Sequence, residues 1–264
     1  MEIVKAIILG IIQGLTEFLP VSSSGHLELA KHILGEDAVA EESLIMTVVL
    51  HFATALSTIV IFRQFIWDTI KDVLAKEGKE SRLFAGYIIL SMIPAAVVGV
   101  FFEDIMESLF SGSIVLVCSM LIVTGLLLFV ADTATATDKQ LSWGSALLVG
   151  ISQAIAIIPG ISRSGATIST SVLLGIDRES AARFSFLMVI PLIFGKIAKD
   201  LLSGDLAEVT SISHTELAVG FVAAFLTGAL ACTWMIKLVK ASSLKYFSYY
   251  CFVVAAIGLI YSFV

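Results

Sequence analysis

Long apolar runs broken by short polar stretches set the pattern of this chain. A helix crossing the hydrocarbon core of a bilayer needs about 20 apolar residues. Residues 44–62, 84–102, 113–131, 184–202, 217–236 and 246–264 each approach that length. The segment 184–202 is the weakest of these, because Lys196 and Lys199 near its end must snorkel. Two shorter runs, 3–19 and 143–158, stop at Pro20 and at Pro159-Gly160. Each is followed by a Ser/Gly-rich loop and a further short piece, 26–34 and 166–176. Irregular backbone is tolerated at membrane depth only where protein buries it or water reaches it. Both units therefore read as re-entrant helical hairpins that enter and leave on one side.

Composition agrees with that pattern and narrows the function. A chain of 264 residues that is 58% hydrophobic belongs with polytopic all-α membrane proteins. A net charge of -6 without a basic run argues for no nucleic-acid partner. Cys118, Cys232 and Cys251 lie in apolar segments without metal-ligand spacing and read as small core residues. The N-terminal run with Lys5 resembles a signal peptide but lacks a small-residue cleavage site before the serines, so it is expected to be retained.

Basic residues favour the cytoplasmic side. Arg63, Lys71, Lys76, Lys79 and Arg82 place the loop after the first span there, and 103–112, with Glu103, Asp104 and Glu107, then falls outside. The region of Lys139 is internal again. If 143–176 is re-entrant, Arg178 and Arg183 stay inside, 203–216 lies outside, and Lys237, Lys240 and Lys245 return inside. A crossing hairpin would put those last lysines outside. Both termini and 28–42 are expected outside, so the first hairpin dips from outside and the second from inside. Each half, 1–131 and 132–264, is then one hairpin plus three transmembrane helices. An odd number of spans turns the second half upside down, giving inverted-topology repeats whose site lies where the broken helices meet.

Self-similarity supports the duplication. GIIQGLTEFLPVSSSG at 10–25 matches GISQAIAIIPGISRSG at 150–165. Gly10, Ile11, Gln13, Ser22, Ser24 and Gly25 recur as Gly150, Ile151, Gln153, Ser162, Ser164 and Gly165, whereas Glu17 is replaced by Ile157 and Ser23 by Arg163. An arginine at the centre of a membrane helix costs about 2.5–3.5 kcal/mol on insertion scales. Arg163 therefore needs either Glu17 as an ion-pair partner or an anionic ligand. Ser162, Ser164, Thr167, the loop N–H groups and the start of a helix near Ala166 direct donors to one place, a set that suits phosphate.

Gln13 and Glu17, one helical turn apart, can reach a common point. They read either as ligands for a hard divalent cation, Mg²⁺ or Ca²⁺, bridged to phosphate oxygens, or as a hydrogen-bonded pair within the protein. Ser22, Ser23, Ser24 and His26 supply hydroxyls and an imidazole, and phosphoryl transfer needs an attacking oxygen, a proton acceptor and charge neutralisation. The plainer alternative makes the serines helix caps and His26 a core residue. His51 reads as a helix-to-helix hydrogen bond, and His32 and His214 as loop or interface residues. Small residues Gly220, Ala223, Ala224 and Gly228 allow close helix packing, within the chain or across a homodimer.

The stretches QGLTEFLPVSSSGHL and PGISRSGAT resemble the two signatures of the undecaprenyl-diphosphate phosphatase family associated with bacitracin resistance. The resemblance extends over the chain in length, hairpin placement and span order. It implies removal of the terminal phosphate from undecaprenyl diphosphate, a polyprenyl diphosphate lipid, at a site open to the outer face of the cytoplasmic membrane. The lipid carrier would thereby be recycled for peptidoglycan and other envelope polymers. It further implies Glu17 as the essential acid, Ser23 and His26 as catalytic residues, and Arg163 as the phosphate-binding arginine with Ser22, Ser162, Ser164 and Thr167 around it. Many members carry glutamate where this chain has Gln13, which removes one metal-binding charge. Ser23 activated by His26, His26 itself and a metal-bound water all stand as nucleophiles, with Ser23 preferred. Because inverted repeats with broken helices also build transporters, a secondary transporter or lipid flippase is the alternative.

Overall fold

Every apolar run folds as a helix in the computed structural model of the chain, which describes residues 3–33, 40–75, 78–102, 105, 109, 113–135, 137, 139–203, 213–240 and 244–262. Lys76, Glu103, Asp104, Glu107, and residues 34–39 and 204–212 of the expected outer segments 28–42 and 203–216, lie outside the described residues. Among those described there are eleven helices. The first hairpin is α1 (Ile3–Phe18) and α2 (Ser23–Ile33), followed by α3 (Ala40–Ile61), α4 (Arg63–Leu74), α5 (Lys79–Phe101) and α6 (Ile114–Asp132). The second is α7 (Trp143–Ile155) and α8 (Arg163–Leu173), followed by α9 (Arg178–Ser203), α10 (His214–Lys240) and α11 (Leu244–Ser262).

Helices α5, α6, α9, α10 and α11 are long and apolar enough to cross a membrane, and α3 with α4 makes a sixth, bent pair. Their outward faces carry Ile89, Val97, Leu126, Val222, Leu230, Val253 and Ile257, all exposed. Apolar surface on that scale is what lipid covers. The chain is an all-helical polytopic membrane protein.

Several helices run past their apolar runs, α3 from Ala40, α5 from Lys79 and α10 to Lys240, and two further differences have a local reason. Where a cytoplasmic loop is expected after the first span, the chain bends by 74° after Ile61 and continues as α4. No residue of α4 is buried. Trp67, Ile70 and Leu74 recur at helical spacing and are exposed, with Lys71 over the Trp67 ring at 5.1 Å. Arg82 closes the turn into α5 by donating to the carbonyls of Val73 and Ala75 at 3.4 and 2.7 Å. Helix α9 begins at Arg178 rather than at 184, because the Asp177 carboxylate accepts from the Ser180 N–H at 2.9 Å and caps it.

The small residues bring helix backbones together. A Cβ on Gly14 would sit 2.6 Å from the Ala224 carbonyl, so α1 lies directly on α10. A Cβ on Gly150 would sit 2.5 Å from the Ser91 carbonyl, and α7 lies on α5 in the same way. The stripe Gly220, Ala223, Ala224 and Gly228 thus faces α1 and α3 of its own chain, with Met46 and Leu50 against Gly220 and Ser57 against Gly228. That stripe is filled within the chain. Several pairings correspond when the halves are exchanged: α1 on α10 mirrors α7 on α5, α3 on α10 mirrors α9 on α5, and α6–α11 and α3–α9 map onto themselves, whereas α8 packs on α6 and α9 without a matching set for α2. The three cysteines are free and buried, as their apolar setting implies.

Candidate active site

Both hairpins turn at a proline and restart as a helix on a serine cap. In the first, the Ser22 hydroxyl accepts from the Gly25 N–H at 3.2 Å. In the second, the Ser162 hydroxyl accepts from the Gly165 N–H at 3.0 Å. The neighbouring serines repeat as well, Ser22–Ser24 at 3.4 Å and Ser162–Ser164 at 3.3 Å. Backbone freedom is placed differently. Ser22 itself takes φ 70°, whereas the second loop puts its positive φ, 96°, on Gly160. The left-handed region costs an L-residue about 1–2 kcal/mol, so Ser22 is held by its surroundings.

The loops touch tip to tip. A Cβ on Gly25 would lie 3.1 Å from Gly160 Cα, and Ser164 donates to the Leu19 carbonyl across the gap at 3.2 Å. From α6, Thr124 pins the second loop by donating to the Gly160 carbonyl at 3.0 Å and accepting from the Ser162 N–H at 3.0 Å. Cap geometry then fixes the first residue of each new helix, Ser23 on α2 and Arg163 on α8.

Those two residues converge on one carboxylate. The Arg163 guanidinium donates to Glu17 Oε1. Glu17 Oε2 accepts from Ser23 Oγ at 2.7 Å and from Gln13 Nε2 at 3.0 Å. His51 Nε2 stands 3.9 Å from the same Oε2. Glu17 is only 5% exposed, so its charge requires this compensation. Of the two partners open to Arg163 from sequence, Glu17 is the one it meets here. Arg163 also donates to the Ser185 carbonyl at 3.4 Å, and its remaining N–H groups are available to an anion.

The other expected residues take distinct places. His26 does not pair with Ser23. Its Nδ1 meets the Ser22 carbonyl at 2.8 Å, and its Nε2 meets the Tyr250 hydroxyl at 2.9 Å, with the rings stacked. The Ser23 proton is thus directed at Glu17. Thr167 turns away from the loop tips, bonding to the Arg163 carbonyl at 2.8 Å and the Ser185 hydroxyl at 2.6 Å, and holds α8 to α9. Ser162 and Ser22 act as caps, and Ser164 joins the loops. Thr124, Ser185 and Tyr250 complete the site without any motif of their own to announce them.

Among the described residues no three His, Cys, Asp or Glu side chains gather into a cation cage. Gln13 Oε1 is, however, buried without a partner while its amide nitrogen is held by Glu17. That spare carbonyl lone pair beside a carboxylate is hard-oxygen chemistry and fits a divalent cation whose other ligands come from a substrate.

Comparison with known proteins follows the same lines. The family model described as Bacitracin resistance protein BacA matches residues 6–257. The chain is 59% identical over 263 residues to an undecaprenyl-diphosphatase of Christiangramia forsetii, covering 100% of this chain and 99% of that one. It is 42% identical to an undecaprenyl-diphosphatase of Bacteroides fragilis, covering 99% of each. It is 38% identical to one of Methanobrevibacter smithii, covering 97% of this chain and 96% of that one.

Proposed function

This chain belongs to the bacitracin resistance protein BacA family, and on that premise we propose that it is an integral membrane undecaprenyl-diphosphatase. It releases inorganic phosphate from undecaprenyl diphosphate and returns the monophosphate carrier to envelope synthesis. The observation that carries this reading is the meeting of Ser23 and Arg163, first residues of two opposed helices, on the buried Glu17. The terminal phosphate docks against Arg163 and the N-terminal ends of α2 and α8, where N–H groups and helix dipoles favour negative charge. Ser23 Oγ attacks phosphorus while its proton passes to Glu17 Oε2. The bond to the bridging oxygen breaks and undecaprenyl phosphate leaves. Water then hydrolyses the phosphoserine. His26, with Nδ1 on the Ser22 carbonyl and Nε2 on the Tyr250 hydroxyl, holds the start of α2 on which Ser23 stands.

A divalent cation, Mg²⁺ or Ca²⁺, held through Gln13 Oε1 and Glu17 when substrate is present, would neutralise diphosphate charge. Residues 1–131 and 132–264 form two inverted units, a reading supported by the exchangeable helix pairings. The basic residues at Arg63, Lys71, Lys79 and Arg82 support a cytoplasmic α4–α5 turn. Both termini and the site then face the outer side of the inner membrane.

Detergent-purified protein given farnesyl or undecaprenyl diphosphate should release phosphate, lose that activity to a chelator and regain it with Mg²⁺ or Ca²⁺. Arg163→Ala and Glu17→Ala should be inactive while folded, and full activity in both contradicts the reading. The transporter alternative is not favoured by the relatives. Proteoliposomes that moved intact diphosphate without releasing phosphate would restore it.

A further inference from the structure

We infer that α4 lies flat in the membrane surface. Its Trp67, Ile70 and Leu74 side chains are set into the boundary between phospholipid headgroups and acyl chains, and this docking does not depend on headgroup charge.

Helix α4 has three sides. Trp67, Ile70 and Leu74 follow one another at three and four residues, on one stripe, and are 59%, 49% and 83% exposed. Gln64, Asp68 and Asp72, exposed and spaced by four, form a polar stripe with Lys71 at its edge. The third side meets the protein: Phe65 stands edge-on to the Phe84 ring at 5.5 Å and lies under the Arg183 guanidinium at 5.1 Å. The apolar stripe is left for a partner.

Place in the fold says which partner. Helix α4 starts just beyond the end of α3, at a bend of 74°. The apolar part of α3, Ile45–Ile61, is about 25 Å long at the α-helical rise, close to the hydrocarbon thickness, so its end lies at the membrane surface. Spanning helices tilt by about 20° on average from the membrane normal, so the bend lays α4 near the membrane plane. Arg63, Asp68, Lys71 and Asp72 on this short helix keep it out of the hydrocarbon itself. Val60, on the last turn of α3, is exposed like the lipid-facing residues of the other spans, and the apolar belt continues onto the α4 stripe. Trp67 and Lys71 suit that depth. An indole joins an apolar ring to a polar N–H, and the ammonium 5.1 Å over it can reach the headgroups while its stem stays with the ring.

Charge sets the lipid chemistry. On α4 the basic Arg63 and Lys71 are matched by the acidic Asp68 and Asp72. Arg63 also donates to the Val60 carbonyl at 2.9 Å, and at the start of α5 Arg82 is tied to the carbonyls of Val73 and Ala75. Attachment of α4 therefore comes from its apolar stripe and not from attraction to anionic headgroups.

The test places full-length protein in nanodiscs of phosphatidylcholine, with Trp143→Phe and Trp234→Phe leaving Trp67 as the sole tryptophan and folding checked by thermal melting. Lipid brominated near the carbonyl end of its chains should quench Trp67 at least about twofold more than lipid brominated near the methyl end, because an interfacial helix sinks only about 5–10 Å. The ratio should not change when phosphatidylglycerol is added. Nitroxide labels on Ile70→Cys and Asp72→Cys read the same geometry with every tryptophan in place, the native cysteines being buried. Oxygen should relax the label at position 70 more than a water-soluble nickel chelate does, and the order should reverse at position 72. Trp67 quenched by aqueous iodide and by neither lipid, or a chelate that reaches position 70 as readily as 72, would put α4 in water and overturn the inference. Shielding of the stripe from lipid and aqueous quenchers alike would put a second protein surface on it and overturn it as well. Quenching by lipid that appears only with phosphatidylglycerol would overturn the independence from charge. None of these readouts uses phosphate release, so they are decided separately from the hydrolase reading.

Discussion

The two hairpins share a cap and differ in charge. Each restarts its helix on a serine that binds the N–H three residues on, and each pairs that serine with a second one. Yet the first holds Glu17 and Ser23 where the second holds Ile157 and Arg163. A common frame thus fixes where the first residue of the new helix points, and the residue type at that place decides what the loop does. One loop presents a hydroxyl and its acceptor, and the other presents the cation that makes the acceptor tolerable in the membrane.

The sharpest way to break that division is to make the first hairpin copy the second. Glu17→Ile leaves the half-buried Arg163, 16% exposed, without its partner, and solvent contact lowers the cost below the roughly 3–5 kcal/mol of a fully buried pair broken from one side. Phosphate release should be abolished and thermal stability in detergent should fall markedly. Ser23→Ala removes the hydroxyl and leaves the pair. Phosphate release should drop by about 10³-fold, as for loss of an activated nucleophile, with a stability cost of only about 1–2 kcal/mol.

The backbone difference gives a reciprocal pair. Gly160→Ala puts a Cβ 2.3 Å from the Val117 carbonyl at φ 96°. It should destabilise by about 2 kcal/mol or more by thermal melting. Ser22→Gly relieves the 70° φ and gives up a cap, which costs only a few tenths of a kcal/mol against glycine. It should leave the melting temperature level or slightly raised. Among the effects on rate, the smallest belongs to Tyr250→Phe. Losing a neutral partner of His26 is worth about 0.5–1.5 kcal/mol, so phosphate release should fall between about twofold and tenfold.

Much of this is legible in the amino-acid sequence itself. Glu17 and Arg163 stood out because a carboxylate and a guanidinium in an apolar background each need a partner and the repeat supplied matching addresses for them, whereas Ser23 was set apart from its neighbouring serines by the family resemblance. Helix positions, though not their ends, followed from apolar length. The exceptions are local: Asp177 extended α9 by a cap, and α4 took up a polar stretch because Trp67, Ile70 and Leu74 share one face. Direction was harder to read than position. Nothing in the type of Thr167 says that its hydroxyl serves Ser185, and nothing near His26 points to Tyr250, 224 residues away. Such pairings depend on how α9 and α11 pack, a property of the folded whole. For the same reason Ser23 looked as though it belonged to His26, three residues on, when its hydrogen bond goes back across the hairpin to Glu17.

The most direct measurement follows one phosphorus atom. Undecaprenyl diphosphate radiolabelled in its terminal phosphate, presented in proteoliposomes, should yield its label as inorganic phosphate with wild-type protein and keep it on the lipid with folded Ser23→Ala. Label released by Ser23→Ala at the wild-type rate would contradict the assignment of Ser23 and Glu17 as the reacting half of the site.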